Sequence, residues 1–202
     1  MKPRFSTLIF LTFLTALLLL PFVFSPQYIA QLRQNHFELH LIFQSEIYKQ
    51  ITGYSALFFV VLEMIFTARK RGRGWWLKIK VPGSMNFWRS LHIFLGVALL
   101  GVTLIHTVGV QGLNYNAVFL WVFFGVTLSA LVGVVAETGI LESPRRYFGW
   151  LPADGSGQGI PALYKGPLIR NLRSLWLATH IILVCIFFVM LVGHIFLAYY
   201  FR

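Results

Sequence analysis

Two stretches decide how this chain folds: RSLHIFLGVALLGVTLIHT at 89–107 and SLWLATHIILVCIFFVMLVGHIFLAYY at 174–200. Each is long and apolar enough to cross a bilayer, where about 20 residues span the hydrocarbon core. Each also carries two histidines and, beyond Arg89, no acidic or basic residue. Working outward, comparable runs stand at 5–24, 51–68 and 117–136, and the loops between spans fall at 69–88 and 137–173. The 202 residues are 57% hydrophobic and 11% charged, with a mean hydropathy of +0.73, outside the range of a soluble domain. The expected class is an all-α, multi-pass integral membrane protein of five transmembrane helices. Five spans take up most of the chain, so a flavin-, nucleotide- or substrate-binding domain is expected from a partner.

The first run follows Lys2 and Arg4 and could serve as a signal peptide, but no small-x-small cleavage site follows it, and we read it as a retained helix. In the second run Glu63 stands near the end, where it is expected at the membrane interface. Spans three and four are divided by the polar turn 111–116, which predicts an antiparallel hairpin. The fifth run exceeds spanning length and is expected to tilt or project. Cys185 is the single cysteine, so no intrachain disulfide exists, and without a CxxCH motif there is no covalent haem attachment.

Lysine and arginine are distributed unequally. Fourteen lie before span one, between spans two and three, or between spans four and five, whereas the other side holds only Arg33, Lys49 and Arg202. The positive-inside rule places the N-terminus in the cytoplasm and the C-terminus outside, in a bacterial inner membrane. The net charge of +11 is thereby a matter of topology, not nucleic-acid binding. The run Arg69-Lys70-Arg71-Gly72-Arg73 reads as an orientation signal in contact with anionic lipid; a docking face for an acidic electron donor is the alternative. Trp75, Trp76, Trp88, Trp150 and Trp176 fall near helix ends, as interfacial aromatics do. The segment 137–173, with Pro144, Pro152, Pro161, Pro167 and a glycine-rich run at 154–159, reads as turns without helical periodicity. Segment 25–50 suits a short interfacial helix, with His36 and His40 on one face, solvated or binding metal.

His92 and His106 are fourteen residues apart, and so are His180 and His194. Fourteen steps fall about 40° short of four full turns, so each pair shares a helix face, with its members roughly 21 Å apart along the axis. Both spans run in the same direction, so His92 meets the level of His180 and His106 that of His194. Two imidazoles from facing helices can ligate one haem iron axially, and two levels then give two stacked b-type haems. Interhelical hydrogen bonding or a proton relay is the alternative, but a relay needs no matched spacings. Zinc is disfavoured, because neither level offers a third ligand. Gly96, Gly109 and Gly193 would let a flat macrocycle approach the helices, or allow plain helix packing. Arg89 and Arg173 stand near the cytoplasmic-side level, where they can pair with haem propionates or act as interface anchors.

These residues resemble dihaem membrane cytochromes b, and most closely the ferric reductase-like transmembrane domain shared by NADPH oxidases and ferric reductases. The likeness rests on Arg89-Ser90-Leu91-His92 with His106, and on Leu177-Ala178-Thr179-His180 with His194. It covers roughly residues 50–200. The resemblance implies electron transfer across the membrane, from a cytoplasmic flavoprotein or iron–sulfur donor to a quinone, an outer cytochrome, oxygen or ferric iron, or in reverse. The chain departs from the oxidase pattern by ending after span five, without a sixth helix or flavin and nicotinamide domains. It also lacks the Pro-Glu-Trp-Tyr motif of quinol-oxidising cytochromes. A haem-bearing anchor subunit of a larger oxidoreductase, and a haem-free transporter or assembly protein, are the competing functions.

The charge asymmetry generates the first prediction. A reporter that works only in the cytoplasm should be active on the N-terminus and silent on the C-terminus, and one that works only outside should show the reverse. Any other pattern would overturn the orientation.

Overall fold

In lipid the backbone must satisfy its own hydrogen bonds, and the apolar runs do so as helices. The computed structural model describes residues 4–71, 82–110, 112–141, 147–148, 163–164 and 166–200. Its helices are α1 (Phe5–Val23), α2 (Ser25–Asn35), α3 (Phe37–Gln44), α4 (Glu46–Arg71), α5 (Met85–Thr107), α6 (Tyr115–Ala136) and α7 (Pro167–Tyr200). A π-helical turn, Glu137–Leu141, continues α6, and a two-residue antiparallel ladder joins Tyr147–Phe148 (β1) to Leu163–Tyr164 (β2). Five helices, α1, α4, α5, α6 and α7, are long and apolar enough to cross a membrane. Their outer faces carry bare hydrophobics such as Phe13 and Val189, 72% and 74% exposed, which suit lipid contact and not water. The chain is a multi-pass membrane protein.

Several boundaries differ from expectation. The second span begins at Glu46 instead of residue 51, because Tyr48, Lys49 and Thr52 find partners on neighbouring carbonyls and side chains. The third begins at Met85, where the Ser84 hydroxyl accepts from the Phe87 amide at 3.2 Å and caps the helix. The fourth begins at Tyr115, capped by Asn114, whose Oδ1 accepts from the Ala117 amide at 2.9 Å. The segment read as turns is helical at both ends: the π turn follows α6, and α7 starts at Pro167, a residue that suits a first helical position. Segment 25–50 forms two short helices, and α4 takes up its end. Lys2, Arg73, Trp75, Trp76, Gln111, Pro144, Trp150, Pro152, the run 154–159, Pro161 and Arg202 lie outside the described residues.

The helices pack as two antiparallel pairs, α4 along α5 and α6 along α7, with α1 against α6. By comparison α5 and α6 touch lightly, and α5 and α7 do not pack along one another. The main core draws Leu19 and Phe22 from α1, Val60 from α4, Leu99 and Leu100 from α5, Leu120, Phe123 and Phe124 from α6, and Phe187 from α7. Leu8, Leu11, Ile93 and Leu131 form a smaller cluster toward the N-terminal end of α1.

Close approach of α6 and α7 depends on Gly133. The Trp176 indole occupies the space that a Cβ there would need, and its Nε1 donates to the Ser129 carbonyl at 2.8 Å. Gly125, on the same helix, would meet nothing within 4 Å. Gly133→Ala should therefore destabilise the fold by about 1–3 kcal/mol, the usual cost of overpacking, while Gly125→Ala should be neutral or mildly stabilising. Thermal unfolding in detergent tests this, and equal midpoints for the two variants would contradict the packing described.

Candidate functional site

An imidazole among apolar helices has one N–H to donate and one lone pair to place. Three of the four histidines of α5 and α7 share a hydrogen bond between Nδ1 and a side chain on the paired helix, and the fourth, His92, sets Nδ1 against a carboxylate there. His106 Nδ1 lies 2.9 Å from Thr52 Oγ1 of α4, and His92 Nδ1 abuts Glu63 Oε2 of the same helix. His180 Nδ1 lies 2.9 Å from Ser129 Oγ, and His194 Nδ1 lies 2.9 Å from Asn116 Oδ1, both on α6. Thr52 and Ser129 also reach the Tyr48 and Val126 carbonyls at 2.7 and 2.9 Å, and a hydroxyl that donates there accepts from the imidazole. The carboxylate and the amide oxygen accept as well. Each Nδ1 thus has a side-chain oxygen beside it, an arrangement that suits the Nδ1–H tautomer and leaves Nε2 for another partner.

That tautomer is the form in which a histidine binds a metal through Nε2, its other nitrogen being oriented by an acceptor. An imidazole nitrogen binds a first-row metal at about 2.0–2.1 Å and lies about 1.1 Å from its ring centre, so two imidazoles flanking one metal have centroids about 6.3 Å apart. The rings of His106 and His194 are 6.2 Å apart and nearly perpendicular, at 89°. Among the described residues no group of three or more His, Cys, Asp or Glu side chains comes together for a metal. A pair of imidazoles suits a metal that arrives with its remaining ligands, as the iron of a haem does.

The space between the helix pairs opens at the His106/His194 level into a cavity of about 750 Å³, within the usual 300–1,000 Å³ of a cofactor or ligand site. Val60, Leu99, Phe123 and Phe187 make its apolar wall, and Lys49, Arg33, Glu46 and Asn116 add polar groups. Lys49 Nζ donates to the His106 carbonyl at 2.9 Å, and the Tyr48 hydroxyl to that of Ile105 at 2.7 Å, which satisfies the free carbonyls at the end of α5. At the other level, His92 stacks on Phe66 at 4.7 Å and His180 on Trp176 at 6.0 Å.

The remaining sequence candidates divide. A Cβ on Gly109 would strike Tyr28 of α2, whose hydroxyl donates to the Val108 carbonyl, and one on Gly193 would strike Tyr115, whose hydroxyl donates to the Met190 carbonyl at 2.7 Å. At both positions the glycine makes room for a tyrosine. A Cβ on Gly96 would meet only Glu63 Oε1, at an ordinary 3.7 Å. Arg89 and Arg173 converge on Glu137, with Nη2–carboxylate distances of 2.7 and 2.6 Å, and tie the ends of α5, α6 and α7 together. Glu63, expected at the interface, is instead drawn inward by His92, and its side chain is only 14% exposed. Sequence reading missed Thr52, Ser129 and Asn116, and treated Trp176 as an interfacial anchor. Gly53, whose Cβ would press on the His106 ring at 3.2 Å, was also missed.

No family model, no curated protein and no solved structure matches the chain.

Loss of an orienting partner on a metal-bound histidine typically costs 10–100-fold in affinity. If the two histidine levels each ligate haem, Ser129→Ala should weaken binding at the His180 level by about that factor and leave the His106/His194 level unchanged, and Thr52→Ala should do the converse. Titration of the apo-protein with haem reads both, and equal losses at the two levels would contradict separate sites.

Proposed function

We propose that the chain is a membrane cytochrome b that holds two haems, one between His92 and His180 and one between His106 and His194, and carries electrons across the bilayer. The observation that supports this most directly is the set of four imidazoles on two parallel helices, each with a side-chain oxygen of the paired helix at Nδ1. A haem ligated on both faces supplies one-electron chemistry at an iron without an open position for substrate. The rest is the work of the chain. The helix pairs α4–α5 and α6–α7 hold the ligands at two depths, and Phe123, Phe187, Val60 and Leu99 keep water from the space between. Arg89 and Arg173 stand together at the Glu137 carboxylate near the His92/His180 level, where guanidiniums suit the propionates of a haem. Gly96, with little beside it but Glu63, keeps the α5 surface low near His92.

The excess of basic residues on the N-terminal side supports placing the His92/His180 level toward the cytoplasm. In this reading a cytoplasmic flavoprotein or iron–sulfur protein delivers electrons, and a quinone or an outer-facing cytochrome accepts them. The chain then serves as the electron-transferring subunit of a larger oxidoreductase.

A pyridine haemochrome assay on detergent-purified protein, with a reduced-minus-oxidised spectrum, tests the proposal. About two b haems per chain with sharp low-spin bands are expected. His92→Ala or His180→Ala should remove one and leave the other. A colourless protein after expression with ample haem would overturn the reading, and unchanged haem content in both variants would overturn the pairing.

A further inference from the structure

The four Nδ1 partners are not alike. Thr52, Ser129 and Asn116 present neutral oxygens, whereas Glu63 presents a carboxylate to His92 from a largely buried position. A carboxylate that accepts the Nδ1 proton makes the imidazole a stronger donor through Nε2 and favours the oxidised, more positive metal it ligates. The opposite charge stands at the other level. Lys49 lines the cavity that His106 and His194 also line, and its Nζ donates to the His106 carbonyl. A cation there disfavours the oxidised state.

At the His92/His180 end Arg89 and Arg173 face Glu137, and Arg69 of α4 donates to the Gly83 carbonyl at 3.0 Å. Around the outer cavity Lys49 and Arg33 stand against Glu46 alone, which accepts from Gln50 Nε2 at 2.9 Å. The direct contacts matter most, since a charge touching a ligand acts across a shorter and drier path than one at the rim.

From this asymmetry we infer that Glu63 and Lys49 are positioning residues that set the direction of electron flow, Glu63 making the His92/His180 level the weaker electron acceptor and Lys49 making the His106/His194 level the stronger. The inference rests on the dihaem reading above. In the step it describes, one electron leaves ferrous iron at the first level and reduces ferric iron at the second, with no atom or proton displaced. In the proposed orientation the electron travels outward.

The test is a potentiometric titration of the purified holoprotein, followed spectroscopically, after haem content has been measured. The two potentials are assigned with His92→Ala and His194→Ala, each of which should leave a single haem. Glu63→Gln, which keeps an acceptor oxygen and removes the charge, should raise the lower potential. Lys49→Met should lower the higher one. Each should shift the partition of the electron between the levels about tenfold, equivalent to 59 mV for a one-electron couple. If Glu63→Gln cannot hold its haem, Lys49→Met still reads the gap from the other side. A higher potential at the His92/His180 level, or unmoved potentials in variants with full haem content, would overturn the inference and leave the dihaem reading standing. Absence of haem from the unmodified protein would instead remove the dihaem reading itself.

Discussion

A histidine within a membrane must dispose of a proton and a lone pair, and water is not there to take either. In this chain the first half of that demand is answered four times over by neighbouring helices. Thr52 and Glu63 on α4 serve α5, while Asn116 and Ser129 on α6 serve α7. The rest of the architecture follows from keeping those eight side chains in register. Antiparallel pairing brings the later partner on each helix to the earlier histidine, and Gly133 with Trp176 holds α6 tightly on α7. Of the four rings, His106 and His194 line the cavity between the pairs, and there α5 and α7 stand apart.

Much of this was legible in the sequence. Five apolar runs, matched spacings of fourteen and the split of basic residues fix the helices and the histidine faces, because burial in lipid leaves only one way for such runs to fold. The partners were harder to see. A serine or threonine in a transmembrane helix ordinarily satisfies its own hydroxyl on a carbonyl one turn back, as Thr127 does at 3.1 Å, so Thr52 and Ser129 looked no different from it. Glu63 stood out as an acid, but its place near the end of a run favoured the interface until His92 was seen beside it. Trp176 had the position of an anchor, and only the helix that approaches through Gly133 reveals that its ring lies over His180.

Helix boundaries failed for a related reason. Hydropathy locates where apolar residues stop, whereas helices continue as long as their polar groups find partners. Tyr48 and Lys49 extend α4 by reaching the last carbonyls of α5, and Ser84 and Asn114 begin α5 and α6 by accepting backbone protons. Arg89 and Arg173 share a carboxylate, Glu137, that lies at the edge of a segment whose prolines and glycines hide the π turn that presents it.

The division into two helix pairs has a consequence for the life of the protein in the cell. Each pair is a hairpin that carries two preset imidazoles, and whatever fills the space between them is shared by both. A group that binds only the assembled state adds RT ln(1 + [L]/Kd) to its stability, about 2.7 kcal/mol at a hundredfold excess over Kd. Under the dihaem reading, the lifetime of this chain in its membrane becomes a gauge of cofactor supply: chains made when haem is scarce remain as loosely joined hairpins, open to proteolysis, and protein abundance follows haem synthesis without any dedicated sensor.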